Sequence, residues 1–182
     1  MSNPTTITAQ PGLPFIDMVR EYDAPRELVF RAYTDPELVV QWLGPRRLVM
    51  ELGNYDARDG GSWSYVHRDD DGTAYSFRGV FHSVQEPERI IQTFEFAGAP
   101  GQVSIETMTF EDLGNGRTRC SAHAVYPSVE ARDGMAASGM ESGVNEGNER
   151  LDELLARLAG EEPALDRRTD DGAPGESGTS LS

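Results

Sequence analysis

The chain of 182 residues carries 31 acidic side chains against 16 basic ones, a formal net charge of −15. Charge of that sign and size repels phosphate backbones and anionic lipid surfaces, which excludes a general nucleic-acid or membrane-surface partner. Every basic residue is arginine, so there is no lysine for Schiff-base chemistry or for a phosphate-binding loop of the usual kind. The single cysteine, Cys120, cannot close an internal disulfide and suits a reducing compartment. No basic stretch followed by an apolar one stands at the N-terminus, and no apolar run approaches the ~18 residues of a membrane span. The expected location is the cytoplasm.

Residues 1–12 are polar and punctuated by proline and glycine, and they read as a flexible arm. The run 15–22 reads as a first strand. Asp23 is placed to cap a helix with Pro25 in its first turn, and Leu28, Val29, Ala32 and Tyr33 recur at helical spacing. Asp35-Pro36 opens a second short helix carrying Leu38, Val39 and Trp42, and Gly44-Pro45 stops it. Six strand-like runs follow, over 47–55, 62–68, 73–84, 89–96, 103–111 and 118–126. They are separated by turn residues such as Asp71-Gly72, Glu86-Pro87 and Gly114-Asn115-Gly116. Short strands joined by tight turns predict an antiparallel meander.

A final helix is predicted over 129–159, interrupted early by Gly134. Met140, Val144, Leu151, Leu154, Leu155 and Leu158 form one apolar stripe at spacings of three and four. That stripe gains nothing unless it meets the sheet, since each large apolar side chain contributes ~1.5–3 kcal/mol only when buried. From residue 160 onward six acids stand against two arginines among Gly, Ser, Thr and Pro. Such a segment cannot bury enough surface to offset its ordering entropy, so 160–182 reads as a disordered acidic tail. The expected fold is α+β: a curved antiparallel sheet of about seven strands around a long C-terminal helix, with two short helices after the first strand. The folded domain spans 13–159.

The runs APRELVFRAYTDPELVVQWLGP (24–45), GGSWSYVHR (60–68), FRGVFHSVQEPERIIQTFEF (77–96) and ESGVNEGNERLDELLARL (141–158) carry a family likeness. In order and spacing they resemble the SRPBCC superfamily of helix-grip proteins. Within it they are similar to the bacterial branch named for the activator of the heat-shock-protein-90 ATPase. The resemblance covers residues 13–159 and implies a hydrophobic cavity between sheet and helix. It does not imply one activity, because the superfamily includes lipid and hormone binders, polyketide aromatase/cyclases and chaperone cofactors. Many relatives place a tryptophan one turn before the leucine matched by Leu151, where this chain has Gly147. Gly139, Gly143 and Gly147 then follow one side of the helix at intervals of four. Each interior glycine costs ~1 kcal/mol against alanine, so the stripe serves close helix–sheet approach or space for a ligand, or marks a poor helix or a kink.

Strand alternation puts Trp63, Tyr65 and His67 on one face, and Tyr75, Phe77 and Phe81 share a parity in the next strand. Phe94 and Phe96 alternate in the one after. These aromatics serve either as plain core or as a pocket wall with polar tips that orient a ligand. The expected cavity residues are Trp42, Trp63, Tyr65, His67, Tyr75, Phe77, Phe81, Phe94, Phe96, Met140, Gly143, Val144 and Gly147. His67 is the best titratable candidate because it sits on the aromatic face, although a hydrogen-bonded core histidine is the commoner case, and no catalytic residue is assigned. Three scattered histidines and one cysteine match no zinc spacing, and no metal or cofactor is expected. The function expected first is a carrier or sensor for a small hydrophobic or amphipathic ligand. A polyketide cyclase-like enzyme and a chaperone-cofactor-like interaction module are the alternatives. A second copy of the chain, as a homodimer, stays open as a partner.

Overall fold

A computed structural model describes residues 3–161. In chain order the elements are β1 (Thr6–Thr8), β2 (Phe15–Tyr22), α1 (Arg26–Thr34), α2 (Pro36–Val39), β3 (Val49–Tyr55), β4 (Ser62–Arg68), β5 (Ala74–Gln85) and β6 (Arg89–Phe96). They continue through β7 (Ser104–Gly114), β8 (Arg117–Val125), α3 (Val129–Ala136) and α4 (Met140–Glu161). The strands form one antiparallel sheet of eight in the order β1-β2-β8-β7-β6-β5-β4-β3. β3 to β8 follow one another through short connections, as antiparallel neighbours can. β2 instead pairs with β8, so α1 and α2 carry the chain from one side of the sheet to the opposite edge strand, β3.

Burial alternates along β4, where Trp63, Tyr65 and His67 are buried and Arg68 is exposed. The inner face of the sheet meets α1, α2 and α4 in one core. Leu151, Leu154 and Leu155 of α4 are buried there with Val29, Phe30, Trp42, Phe81 and Phe110. The α4 stripe therefore does what its spacing predicts, worth ~1.5–3 kcal/mol for each large side chain. Trp42 lies beyond α2, and its indole N–H donates to the carbonyl of Ala32 at 2.9 Å, which locks the end of α2 to α1.

The structure corrects the expected outline at several places. Residues 6–8 are not a loose arm but an eighth strand that pairs with β2. The predicted helix over 129–159 is two helices, because Gly139 takes φ +84° between them, a conformation that costs other residues strain. α4 then runs to Glu161, past the predicted end. Pro25, not Asp23, occupies the N-cap position of α1, while Asp23 pairs with Arg117 at 3.2 Å. The acidic tail expected from sequence lies, from residue 162 onward, outside the described residues.

Candidate functional site: a cavity between sheet and helix

Between the inner face of the sheet and α4 lies a cavity of about 320 Å³. Ten of the thirteen residues expected from sequence line it: Trp42, Trp63, Tyr65, His67, Phe77, Phe94, Met140, Gly143, Val144 and Gly147. The aromatic wall is continuous. The Trp63 and Tyr65 rings stack at 5.4 Å between centroids, Tyr65 stacks on Phe77 at 5.1 Å, and Phe77 reaches Phe94 at 5.5 Å. The Trp63 indole lies across Gly79 of β5, where a Cβ would fall 2.5 Å from the ring. Register explains this, since Trp63 stands directly opposite Gly79.

Tyr75, Phe81 and Phe96 share the predicted faces but do not line the cavity. Tyr75 is half-buried near the start of β5 and neighbours Phe96 at 6.4 Å. Phe96 backs onto the Phe77 ring at 5.1 Å. Phe81 is fully buried, edge-on to Tyr55 at 5.6 Å, and serves as core. Parity fixes the face of a residue but not its distance along the strand from the opening left by α4.

The glycine stripe divides into three roles. Gly139 makes the break between α3 and α4. A Cβ on Gly147 would lie 3.2 Å from the Gly44 amide nitrogen and 3.3 Å from the Trp42 carbonyl oxygen, so this glycine lets α4 approach the loop after α2. A Cβ on Gly143 would find only the Pro45 Cδ, at 3.7 Å, and this position borders the cavity. Arg150 fastens the same loop to α4 by donating to the carbonyls of Gly44 at 3.0 Å and Gln41 at 2.9 Å.

His67 is buried at the rim of this wall, with its Nε2 3.2 Å from the Leu43 carbonyl oxygen. A carbonyl only accepts, so Nε2 carries the proton. Burial holds the imidazole below its ordinary pKa. The Leu43 hydrogen bond opposes that shift, and the Arg150 charge adds to it. The ring is therefore a neutral donor at pH 7, and among the described residues no carboxylate hydrogen-bonds it. Nor do the described residues contain a group of three or more His, Cys, Asp and Glu side chains able to hold a metal ion.

The polar residues of the cavity that sequence reasoning passed over are more informative. On β2, Arg20 donates to Thr5 Oγ1 at 3.0 Å and to the carboxylate of Asp152 on α4. Tyr22 Oη donates to Asn148 Oδ1 at 2.9 Å, and Asn148 Nδ2 donates to Thr5 Oγ1 at 2.9 Å. These bonds tie the residue before β1 to β2 and α4 at one side of the cavity. On the sheet itself, Gln92 of β6 stands opposite Glu106 of β7, and its Nε2 donates to Glu106 Oε2 at 3.0 Å. Burial raises the pKa of Glu106, and the Gln92 bond only partly opposes the shift. A periodicity signal was present: Glu106 shares its parity with Met108 and Phe110, and Gln92 with Ile90 and Phe94. Cys120 also borders the cavity, and burial pushes its thiol up to about 12, so it behaves as a small apolar group.

Glu106→Gln is expected to stabilise the fold at pH 7, with the gain vanishing as pH falls below about 4.5. The sign follows from linkage. A carboxyl whose folded pKa is raised costs stability as pH climbs from the unfolded value of 4.5 through the folded one, and glutamine never pays that cost. Tyr65 and Tyr126, whose hydroxyls burial and the Glu106 charge push upward, do not ionise in this window. Urea unfolding of both proteins at pH 4 and pH 7 measures the difference. An equal gain at both pH values would contradict the assignment.

One antiparallel sheet of eight strands closed by a long C-terminal helix, with the cavity between them, is the helix-grip architecture of the SRPBCC superfamily. Residues 23–156 match the family described as Activator of Hsp90 ATPase homolog 1-like protein, and the chain belongs to that family. Among solved structures it is similar to a protein from Rhodobacter sphaeroides, at 25% identity and a TM-score of 0.78, over 85% of this chain and 100% of that one. It is also similar to a protein from Arthrobacter aurescens, at 26% identity and a TM-score of 0.76, over 84% of this chain and 91% of that one. An AHSA1 protein from Silicibacter pomeroyi shares the fold at 21% identity and a TM-score of 0.66, over 79% of this chain and 99% of that one. None of the curated proteins matches the chain. Proteins of this superfamily commonly bind hydrophobic ligands. No helix among the described residues is long and apolar enough to cross a membrane.

Proposed function

We propose that the chain binds a small hydrophobic or amphipathic molecule in this cavity and acts as a carrier or sensor in the cytoplasm. The observation that carries the reading is the cavity itself, about 320 Å³ behind a wall of stacked aromatic rings. Small-molecule sites run from roughly 300 to 1,000 Å³ and combine apolar walls with a few placed polar groups, which is the composition found here. A core evolved only for packing closes to crystal-like density and leaves few voids larger than a water molecule.

The two tryptophans both border the cavity and supply a readout. N-phenyl-1-naphthylamine, an apolar probe uncharged at neutral pH, is expected to quench their emission saturably with one-site stoichiometry. Trp63→Phe is expected to remove a large part of that quenching. Quenching that rises linearly without saturation would sink the proposal.

A further inference from the structure

The proposed ligand site contains one feature that apolar binding does not use. Glu106 projects from the middle of the sheet into the cavity, between Gln92 on β6 and Ala124 on β8. Among the described residues only Gln92 hydrogen-bonds its carboxyl, at one oxygen, and no cation pairs with it. The cation that borders the cavity, Arg20, is engaged by Asp152, and His67 is held neutral. An acid so placed is costly, because an unpaired charge in a low-dielectric site must find a partner or take up a proton. Its surroundings suit a cation. Tyr65, Tyr126, Trp63 and Phe94 line the same cavity as Glu106, and the Trp63 and Phe94 rings lie 5.8 Å apart. Aromatic faces attract cations, most strongly when the cation is desolvated.

We infer that the cavity selects hydrophobic amines, with Glu106 receiving the ammonium group and the Trp63–Tyr65–Phe94 wall holding the apolar body. This rests on the proposed ligand-binding role and adds to it the charge of the ligand. An ammonium of this kind supplies the partner that Glu106 lacks, and the attraction acts where water is scarce. A ligand of equal shape with a hydroxyl loses the charge-assisted bond. A carboxylate adds repulsion.

The test uses three probes with one skeleton: 4-phenylbutylamine, 4-phenylbutan-1-ol and 4-phenylbutyrate. Their affinities for the full-length protein are measured at pH 7 by calorimetry or by displacement of N-phenyl-1-naphthylamine. The amine is expected to bind about tenfold or more tightly than the alcohol, the scale of a hydrogen bond to a charged group, and the carboxylate most weakly. Glu106→Gln is expected to bring the ratio of amine to alcohol affinity close to one. The wild-type order alone tests the inference if that variant does not fold. An alcohol that equals or exceeds the amine, with N-phenyl-1-naphthylamine still bound, overturns the amine selection and leaves the cavity reading standing. A tighter carboxylate would assign head-group recognition to Arg20 and also overturn it. Failure of all three probes and of N-phenyl-1-naphthylamine removes both readings.

Discussion

Gly143→Leu is expected to weaken binding of N-phenyl-1-naphthylamine by at least about tenfold while leaving the fold as stable as the wild type, or more so. The position is unusual among the helix glycines. A Cβ there meets nothing closer than the Pro45 Cδ at 3.7 Å, and the residue borders the cavity. A leucine side chain therefore has room to enter and occupies volume that the probe needs. Replacing a helix-interior glycine also gains up to ~1 kcal/mol of helix propensity, which offsets minor repacking. Each lost tenfold in affinity is ~1.4 kcal/mol, so the binding change stands well clear of error. Probe titration paired with thermal unfolding separates the outcomes. Unchanged affinity in a stable variant would mean that the ligand does not sit beside α4.

Phe81→Ala is expected to lower stability by about 3–5 kcal/mol, the range for removing a fully buried aromatic ring. Phe81 has no exposed surface and packs edge-on against Tyr55 at 5.6 Å, in the main core that also contains Val29 and Trp42. That core is built from the sheet and helices fixed by their own hydrogen bonds, so it cannot collapse fully into the space left behind. Because Phe81 does not line the cavity, any variant that remains folded should keep its probe affinity more nearly than Gly143→Leu does. Denaturant unfolding measures the loss, and a change below about 1 kcal/mol would show that the core around β5 is loosely packed.

These two positions also mark what could be read from sequence. The aromatic alternation of Trp63, Tyr65 and His67 gave the inner face of β4 correctly, because a period of two leaves no choice of side once one face is buried. The leucine stripe likewise identified the face of α4 that meets the sheet. Phe81 was misplaced into the cavity because parity says nothing of how far along the strand the void extends. β1 was missed for a different reason. Three residues, Thr-Ile-Thr between proline-bearing segments, hold no periodic signal, and they form a strand only because the edge of β2 offers a template. The α3–α4 break depends on the positive φ of Gly139, one glycine among several in that stretch. Glu106 and Gln92 were visible as polar residues at apolar parity, but their meaning required the register that sets them opposite each other across β6 and β7.

The central claim is that an apolar molecule occupies the space between sheet and α4. Methionine methyl NMR tests it directly. Of the six methionines, Met18, Met108, Met135 and Met140 border the cavity, whereas Met50 on β3 does not. With methyl-labelled protein and rising N-phenyl-1-naphthylamine, the four cavity methyls should shift along one saturable curve, and Met50 should stay nearly still. Saturable shifts at Met50 with none at the cavity methionines, or no saturable shift anywhere, would contradict the account.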